Sequence, residues 1–152
     1  NGDVEQIDAA GAPVGWTVCN MIAKDAAQWL VDAEVFHSGE HSLTIRSDEK
    51  TLLSKWWGQR LSVDPGGQVQ LSALIKTQDA QGVTIAFGFM DDLGGPKGGV
   101  NIPVINGTQD WHNYVLIADV PTGVTKMSIS LLLNGSGQVW FDDIILSQSK
   151  DH

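Results

Sequence analysis

The stretch Gln138-Val139-Trp140-Phe141-Asp142-Asp143-Ile144-Ile145-Leu146 holds two neighbouring carboxylates inside an otherwise apolar run. A run so rich in valine, isoleucine and aromatic residues predicts a buried or half-buried β-strand. Because side chains alternate along a strand, Asp142 is expected on one face and Asp143 on the other. A buried carboxylate without a partner is costly or becomes protonated, so at least one of the two is expected to have a cationic partner or a metal.

The composition limits the classes of fold and partner. The chain has 152 residues, which suits one domain with a proper core and is too short for two ordinary domains. Its net charge of −9 argues against nucleic-acid binding, which relies on clustered lysine and arginine, but suits a neutral ligand or calcium. The single cysteine, Cys19, is predicted to be a small buried side chain. No stretch approaches the roughly 20 apolar residues of a membrane span, so no membrane partner is predicted.

Short apolar stretches between glycine-rich turns predict an all-β chain. We predict a single antiparallel β-sandwich over residues 1–152, with about nine or ten strands and no convincing helix. Alternating apolar residues predict separate strands at 68–76 and 83–89. The glycine-rich segment 91–99 is predicted to be the longest irregular loop, and flexible enough to border a site.

Catalytic motifs are absent from the sequence. It contains no Gly-x-Ser-x-Gly, no His-Glu-x-x-His, no phosphate-binding glycine loop and no cluster of cysteine and histidine. A glycosidase would need two acids facing each other across a cleft. Asp142 and Asp143 are instead neighbours that are expected on opposite faces of one strand. A non-catalytic function is therefore favoured.

Small or weakly polar residues occupy outward positions of the predicted strands: Ser72, Thr84, Ala86, Gly88, Ser128 and Ser130. A free sheet face usually carries larger charged side chains, so these residues beside Trp56, Arg60 and Gln70 would leave a shallow groove. Sugars bind in such grooves, with the ring on an aromatic side chain and the hydroxyls on amides or a guanidinium. The alternative, that this face packs against a loop or a neighbouring domain, stays equally open.

The six tryptophans divide into two groups. Three are predicted in the core because they lie in apolar runs or share the phase of core residues: Trp29, Trp57 and Trp140. The other three are candidates for a sugar platform. Trp16 follows a Gly/Pro turn, and Trp56 and Trp111 lie on the phase opposite the expected core residues of their strands.

The opening Asn1-Gly2-Asp3-Val4-Glu5 resembles the NGDFE start of carbohydrate-binding modules of families 4, 9, 16 and 22. Further segments that are similar to these families follow in the same order, at 15–16, 37–43, 59–66, 71–77, 110–114 and 139–144. The resemblance spans essentially the whole chain. It implies a β-sandwich of the jelly-roll type.

The resemblance also implies a structural calcium ion. Such modules commonly hold one where the N-terminal segment, the His-Ser-Gly turn and the last strand meet. Glu5 and Asp142 would be side-chain ligands, and backbone carbonyls near Asp3, His37 and Glu40 would complete the shell. A cage drawn from three distant segments would tie both ends of the chain together. The alternative is that Asp142 caps backbone amides, or pairs with a lysine or arginine, without a metal.

For the sugar site, the resemblance implies a sheet face or its rim, with Trp16, Trp56, Arg60, Gln70 and Trp111 as the candidate residues. It further implies a monomeric, non-catalytic module of a larger secreted bacterial enzyme. The module would hold the neighbouring catalytic domain on a plant or algal polysaccharide of the β-glucan, mannan or xylan class. The alternative is an interaction domain of the same fold that packs against a catalytic domain and binds no glycan.

Overall fold

The structure is a computed structural model that describes residues 5–9, 13–18, 28–48 and 55–149. These ranges contain antiparallel strands and no helix, so the predicted all-β class is confirmed. No helix capable of spanning a membrane occurs in this part of the chain. The strands are β1 (Thr17–Val18), β2 (Gln28–Asp32), β3 (Ser42–Ser47), β4 (Lys55–Ser62), β5 (Gln68–Met90), β6 (Pro96–Asn101), β7 (Ile105–Asp119), β8 (Lys126–Leu133) and β9 (Gly137–Ser149).

Strand β5 belongs to both layers of the fold. Its first half, up to Gln78, pairs with β9 and β7, and its second half, from Val83, pairs with β8 and β6. Between the halves, Asp79 and Gly82 have φ angles of 50° and 74°, and the register to β7 shifts. One layer, the β9 sheet, has the order β2-β3-β9-β5-β7, and the other, the β8 sheet, has the order β1-β4-β8-β5-β6. The two strands predicted at 68–76 and 83–89 are therefore one continuous strand.

The hydrophobic core lies between these two sheets. The predicted alternation is observed throughout β8 and over 68–77 and 85–90 of β5, where every second side chain is buried; it is broken between these two parts of β5. Side chains with no exposed surface come from both layers and include Leu43, Ile45, Leu71, Ile75 and Phe141 from the β9 sheet, and Val83, Ile85, Leu131 and Leu133 from the β8 sheet.

Two tryptophans join the sheets by hydrogen bonds. The indole Nε1 of Trp57, on β4, donates to the carbonyl of Thr44 on β3 at 3.1 Å. The Nε1 of Trp29, on β2, donates to the carbonyl of Trp56 on β4, also at 3.1 Å. Trp57 is buried in the core, and Trp29 is partly buried against it. Both core predictions are confirmed, and each indole satisfies its polar group with a backbone oxygen of the opposite layer.

The predicted loop at 91–99 is shorter than expected, because Pro96–Asn101 forms strand β6. This strand pairs with the second half of β5 and lies at the edge of the β8 sheet. All six of its residues are exposed. An edge strand of this kind is held mainly by backbone hydrogen bonds and buries no side chain, so it leaves no periodic apolar pattern in the sequence.

Trp140 is buried, as predicted, but it lies on the outer side of the β9 sheet, where it pairs with Thr44 and Lys76. Its Nε1 donates to Oδ2 of Asp32 at 2.9 Å. The other oxygen of Asp32 accepts the amides of Glu34 at 2.8 Å and of the following residue at 3.0 Å. Asp32 thus fixes both the indole and the segment that follows β2.

Asp32→Asn is expected to make stability less dependent on pH. Burial raises the pKa of Asp32, but hydrogen bonds from the Val35 amide, the Trp140 indole and the Glu34 amide together hold this pKa below its ordinary 3.8. A lowered pKa means that ionised Asp32 stabilises the fold above about pH 3.8, and that this contribution is lost as pH falls through the folded-state pKa. We expect the variant to be less stable by about 1 kcal/mol near pH 7.

Urea denaturation of both proteins at a series of pH values measures this effect. The difference in free energy of unfolding between the wild-type chain and Asp32→Asn should become smaller below pH 3.8, because the wild-type carboxylate then takes up a proton and loses its charge. A gap that is equally wide at neutral and acidic pH would contradict the assignment.

Candidate functional site: a clamped turn and a groove on the β8 sheet

A β-bulge in β9 brings both acids of the closing strand to one place. The register between β5 and β9 shifts between Ser72 and Leu74, which leaves Asp143 and Ile144 opposite a single β5 residue. Asp143 takes a φ of 46°, in the left-handed region that aspartate tolerates better than most residues. The extra residue reverses the alternation, so Ile144 is buried and the next isoleucine is exposed. The prediction that Asp142 and Asp143 point to opposite faces is therefore wrong.

Both carboxylates bind the segment at His37 and Ser38. Oδ2 of Asp142 accepts the amides of these two residues at 2.9 and 3.1 Å, and Oδ1 accepts the Asp143 amide at 2.7 Å. The Asp143 carboxylate accepts the Ser38 hydroxyl at 2.5 Å and lies 2.8 Å from Nδ1 of His37. Burial and the nearby negative charge of Asp143 raise the pKa of Asp142 against the effect of its amide donors.

Glu5 holds the other end of the same turn. Its Oε1 accepts the amides of Glu40 and His41 at 2.7 and 3.1 Å, and its Oε2 lies 3.0 Å from Nδ1 of His41. Gly39 has a φ of 66°, and a Cβ at this position would collide with the Glu5 carboxylate. Burial raises the pKa of Glu5, but these amide and imidazole contacts lower it further, to below the ordinary value. We call residues 37–41, held by these three carboxylates, the clamped turn.

The clamped turn fits a calcium ion only in part. Glu5 and Asp142 converge on it from the N-terminal segment and the closing strand. However, they receive the amides of His37 and Glu40, whereas calcium takes oxygen ligands. In the described ranges no group of three or more His, Cys, Asp or Glu side chains is placed to hold a metal, and Asp3 lies outside those ranges. The calcium site stays a prediction.

The structure divides the five predicted sugar-binding residues among three places. Trp16 is only 6% exposed and packs in the core, so it has no free ring face and is not a stacking platform. Gln70 and Trp111 lie on the outer side of the β9 sheet. Trp56 and Arg60 lie on the outer side of the β8 sheet. The expected single groove is therefore wrong, because β5 crosses between layers and its two halves face different outer surfaces.

The outer side of the β8 sheet has a floor of small residues. Trp56 borders this floor, and its indole leans over Gly58, where a Cβ would come within 3.2 Å of the ring. A Cβ at Gly88 would come within 2.7 Å of the Ser128 hydroxyl, so the floor is also tightly packed. We call this surface the Trp56 face. Its two central cross-strand rows are Thr17, Gly58, Ser130, Ala86 and Asn101, and then Arg60, Ser128, Gly88 and Gly99.

The outer side of the β9 sheet is different in character. Val115, Ile117 and Ile145 are 44%, 51% and 62% exposed there, and Ser72 pairs with the first and last of them. Trp111 lies farther along β7, where its ring contacts the edge of the His37 imidazole at a centroid distance of 5.9 Å. This apolar surface resembles a packing surface more than a polar sugar site.

The sequence interpretation missed Asn101 and Gly99 on the Trp56 face, because no pattern identified β6. It also left Asp143 without a role. One signal for the bulge was present, since two consecutive acids in an apolar strand cannot both be satisfied by simple alternation.

Comparison with known proteins gives two kinds of match. No family model matches the sequence. The uncharacterized HTH-type transcriptional regulator YbfP of Bacillus subtilis is 27% identical over 129 residues. The match covers 78% of this chain and 42% of the regulator, so the chain spans less than half the length of this curated relative.

Solved structures match over nearly the whole chain. The CBM22-1 xylan-binding domain of Xyn10C from Paenibacillus barcinonensis has a TM-score of 0.65 at 17% identity, over 99% of this chain and 94% of that domain. The fold is that of a carbohydrate-binding module. The C-terminal family 22 module of Clostridium thermocellum Xyn10B agrees, with a TM-score of 0.63 at 16% identity over 93% of this chain and 96% of the module.

The module fold also occurs inside larger proteins. The enzymatically active domain of the bacteriophage CBA120 tailspike protein 4 has a TM-score of 0.69 at 19% identity, over 90% of this chain but only 20% of that chain. At these low identities the structural similarity establishes the fold alone, and the jelly-roll prediction is confirmed. The neighbours that match along their full length are binding modules, including one of family 4 at a TM-score of 0.61.

Proposed function

We propose that this chain is a non-catalytic carbohydrate-binding module whose glycan lies on the Trp56 face. The observation that carries the proposal is the floor of small residues bordered by an indole and a guanidinium. A sugar ring stacks its C–H groups on the indole of Trp56, which is half-buried and therefore already oriented. Arg60 and Asn101 supply planar hydrogen-bonding groups for hydroxyls.

The proposed ligand is a plant or algal polysaccharide of the β-glucan, mannan or xylan class. Two full-length neighbours of the same fold are xylan-binding domains, which supports this class. We further propose that the module is monomeric and belongs to a larger secreted bacterial enzyme. Tethering would raise the effective concentration of the catalytic domain on the polymer, without any change to the sugar by the module itself.

Affinity electrophoresis of the purified chain through gels that contain single polysaccharides tests the proposal. We expect retardation by at least one member of a panel of β-glucans, mannans and xylans, relative to a gel without polysaccharide. Retardation by none would refute glycan binding. Release of reducing sugar by the purified chain would refute the non-catalytic assignment.

A second candidate function is an interaction domain that binds no glycan. The exposed Val115, Ile117 and Ile145 on the β9 sheet favour this candidate, because such a surface is commonly covered by another domain. The match to part of a longer regulator and to part of a tailspike supports an embedded domain of this kind. The electrophoresis experiment separates the two candidates.

We also propose a structural calcium ion at the clamped turn, supported by the convergence of Glu5 and Asp142 on one segment. At a free calcium concentration ten times its dissociation constant, binding stabilises the fold by about 1.4 kcal/mol. Removal of the ion by EDTA is then expected to lower the melting temperature by about 3–6 °C, and added calcium should restore it. Identical melting curves with EDTA and with excess calcium would refute the site.

A further inference from the structure

We infer that the glycan on the Trp56 face is anionic and carries uronate carboxylates, as a glucuronate-substituted xylan does. This inference rests on the proposed function, because it names the ligand class of the same face. The chain as a whole is acidic, with 18 aspartates and glutamates against 9 lysines and arginines. A positively charged binding face on such a chain is the opposite of what its average composition predicts.

The outward positions of the β8 sheet carry cations and no acids in the part of the chain that the structure describes. Arg60 projects from β4, opposite Ser128, and Lys126 projects from β8, opposite Ser62. The other outward positions on these and the adjoining strands are neutral: Thr17, Trp56, Gly58, Thr84, Ala86, Gly88, Met90, Gly99, Asn101, Ser130 and Leu132. Asp92, which follows the end of β5, accepts the Thr125 hydroxyl at 2.6 Å and forms no ion pair with Lys126.

Neither cation is neutralised by another residue that the structure describes. The ion pairs of lysine in the described ranges are Lys76 with Asp110 at 3.4 Å and Lys97 with Asp91 at 3.9 Å. Arg60 and Lys126 are exposed, and their side chains make no ion pair or hydrogen bond with any other described residue. Within the described ranges, both charges are therefore open to a ligand.

The spacing of these groups suits an extended acidic chain. Arg60 and Lys126 are diagonal neighbours on adjacent strands, a relationship that places their Cα atoms about 7–8 Å apart. Trp56 lies four residues before Arg60 on the same face, which is about 13 Å along the strand. A glycan lying along β4 therefore stacks on Trp56 while a carboxylate farther along the chain reaches the guanidinium.

The chemistry of the two cations favours carboxylate over hydroxyl. A guanidinium binds a carboxylate through two parallel hydrogen bonds, and a nearby ammonium adds a point charge. The small side chains of Ser128 and Gly88 leave the floor beside Arg60 open to the ligand. The net charge of −9 repels a polyanion at long range, but salt at about 0.1 M screens this repulsion beyond roughly 10 Å. The short-range attraction between the two cations and the glycan carboxylates is then stronger than the long-range repulsion by the net charge.

Isothermal titration with glucuronoxylan and with the same polymer after reduction of its carboxyl groups tests the inference. At about 0.1 M salt we expect the native polymer to bind at least ten times more tightly than the reduced one. Lys126→Gln should lower this ratio toward one while binding of the reduced polymer persists. Arg60→Gln should lower the ratio as well, and it should also weaken binding of the reduced polymer because Arg60 bonds to hydroxyls in the proposed function. The matched control is Arg46→Gln, which removes an exposed cation from β3 in the β9 sheet and should leave the ratio unchanged.

The possible outcomes separate the inference from the proposed function. Equal affinity for the two polymers overturns the anionic ligand and leaves glycan binding intact. No affinity for either polymer, or for the neutral glycans of the panel, overturns both the anionic-ligand inference and the proposed glycan binding. A fall in the ratio for Arg46→Gln equal to that for Arg60→Gln also overturns the inference, because overall charge would then explain the preference. Circular dichroism of each variant confirms that it is folded.

Discussion

Asp142→Ala is expected to lower the free energy of unfolding by about 3 kcal/mol. The carboxylate has no exposed surface and accepts three backbone amides, from His37, Ser38 and Asp143. Alanine leaves these donors without their acceptor and opens a cavity beside the clamped turn. The turn and β9 are more than 100 residues apart in the chain, so the substitution removes a long-range contact between an early segment and the last strand.

Urea denaturation of the wild-type chain and the variant, both in EDTA, measures this loss without any contribution from a bound cation. Asp142→Asn is the matched control, because it keeps one oxygen for the amides of His37 and Ser38, and it should cost about 1 kcal/mol. Asp143→Asn keeps a side chain that tolerates the positive φ and an oxygen for the Ser38 hydroxyl. It removes only the charge of a partly exposed contact to His37 and should also have a small effect, as exposed ion pairs do. A loss below about 1 kcal/mol for Asp142→Ala would show that the amides find other acceptors.

The sequence predicted the core where alternation is regular. The inward faces of β5 and β8 and the position of Trp57 follow from side-chain period and burial alone. The closing strand could not be predicted in this way. One residue with a positive φ, Asp143, reverses the face of every side chain after it, and no local pattern marks such a reversal.

The candidate site was harder to predict than the core, because its residues are brought together by topology. Trp56 and Arg60 are close in sequence and remain on one face. Gln70 and Trp111 were grouped with them on phase alone, but β5 changes sheets between Gln78 and Val83 and so separates the pairs. The alternation of side chains within one strand shows which residues share a face of that strand. Only the pairing of strands shows which of these faces belong to the same surface of the protein.

The clamped turn was predicted only in part by the resemblance to carbohydrate-binding modules. The resemblance correctly predicted that the N-terminal segment, the turn at His37 and the closing strand meet. It implied carbonyl oxygens around a cation, whereas Glu5 and Asp142 accept backbone amides, and Glu5 also contacts the His41 imidazole. A carboxylate satisfies either partner, so the meeting of the segments does not determine whether the site holds a metal.

Trp56→Ala is expected to weaken glycan binding by about 10–100-fold, which corresponds to about 1.4–2.8 kcal/mol. The indole is the aromatic side chain that borders the small-residue floor, so its loss removes the stacking surface. The variant should remain folded, because the bond from Trp29 reaches the backbone carbonyl of Trp56, which alanine retains. A loss of affinity at unchanged melting temperature therefore reports on the ligand.

Two further variants make the experiment specific. Trp56→Phe keeps an aromatic ring and should retain most of the affinity, which separates stacking from simple side-chain size. Trp111→Ala removes a half-buried indole from the outer side of the β9 sheet and should leave affinity unchanged. If Trp111→Ala weakens binding and Trp56→Ala does not, the glycan lies on the β9 sheet. The cations at Arg60 and Lys126 would then serve another purpose, because they project from the opposite layer of the sandwich.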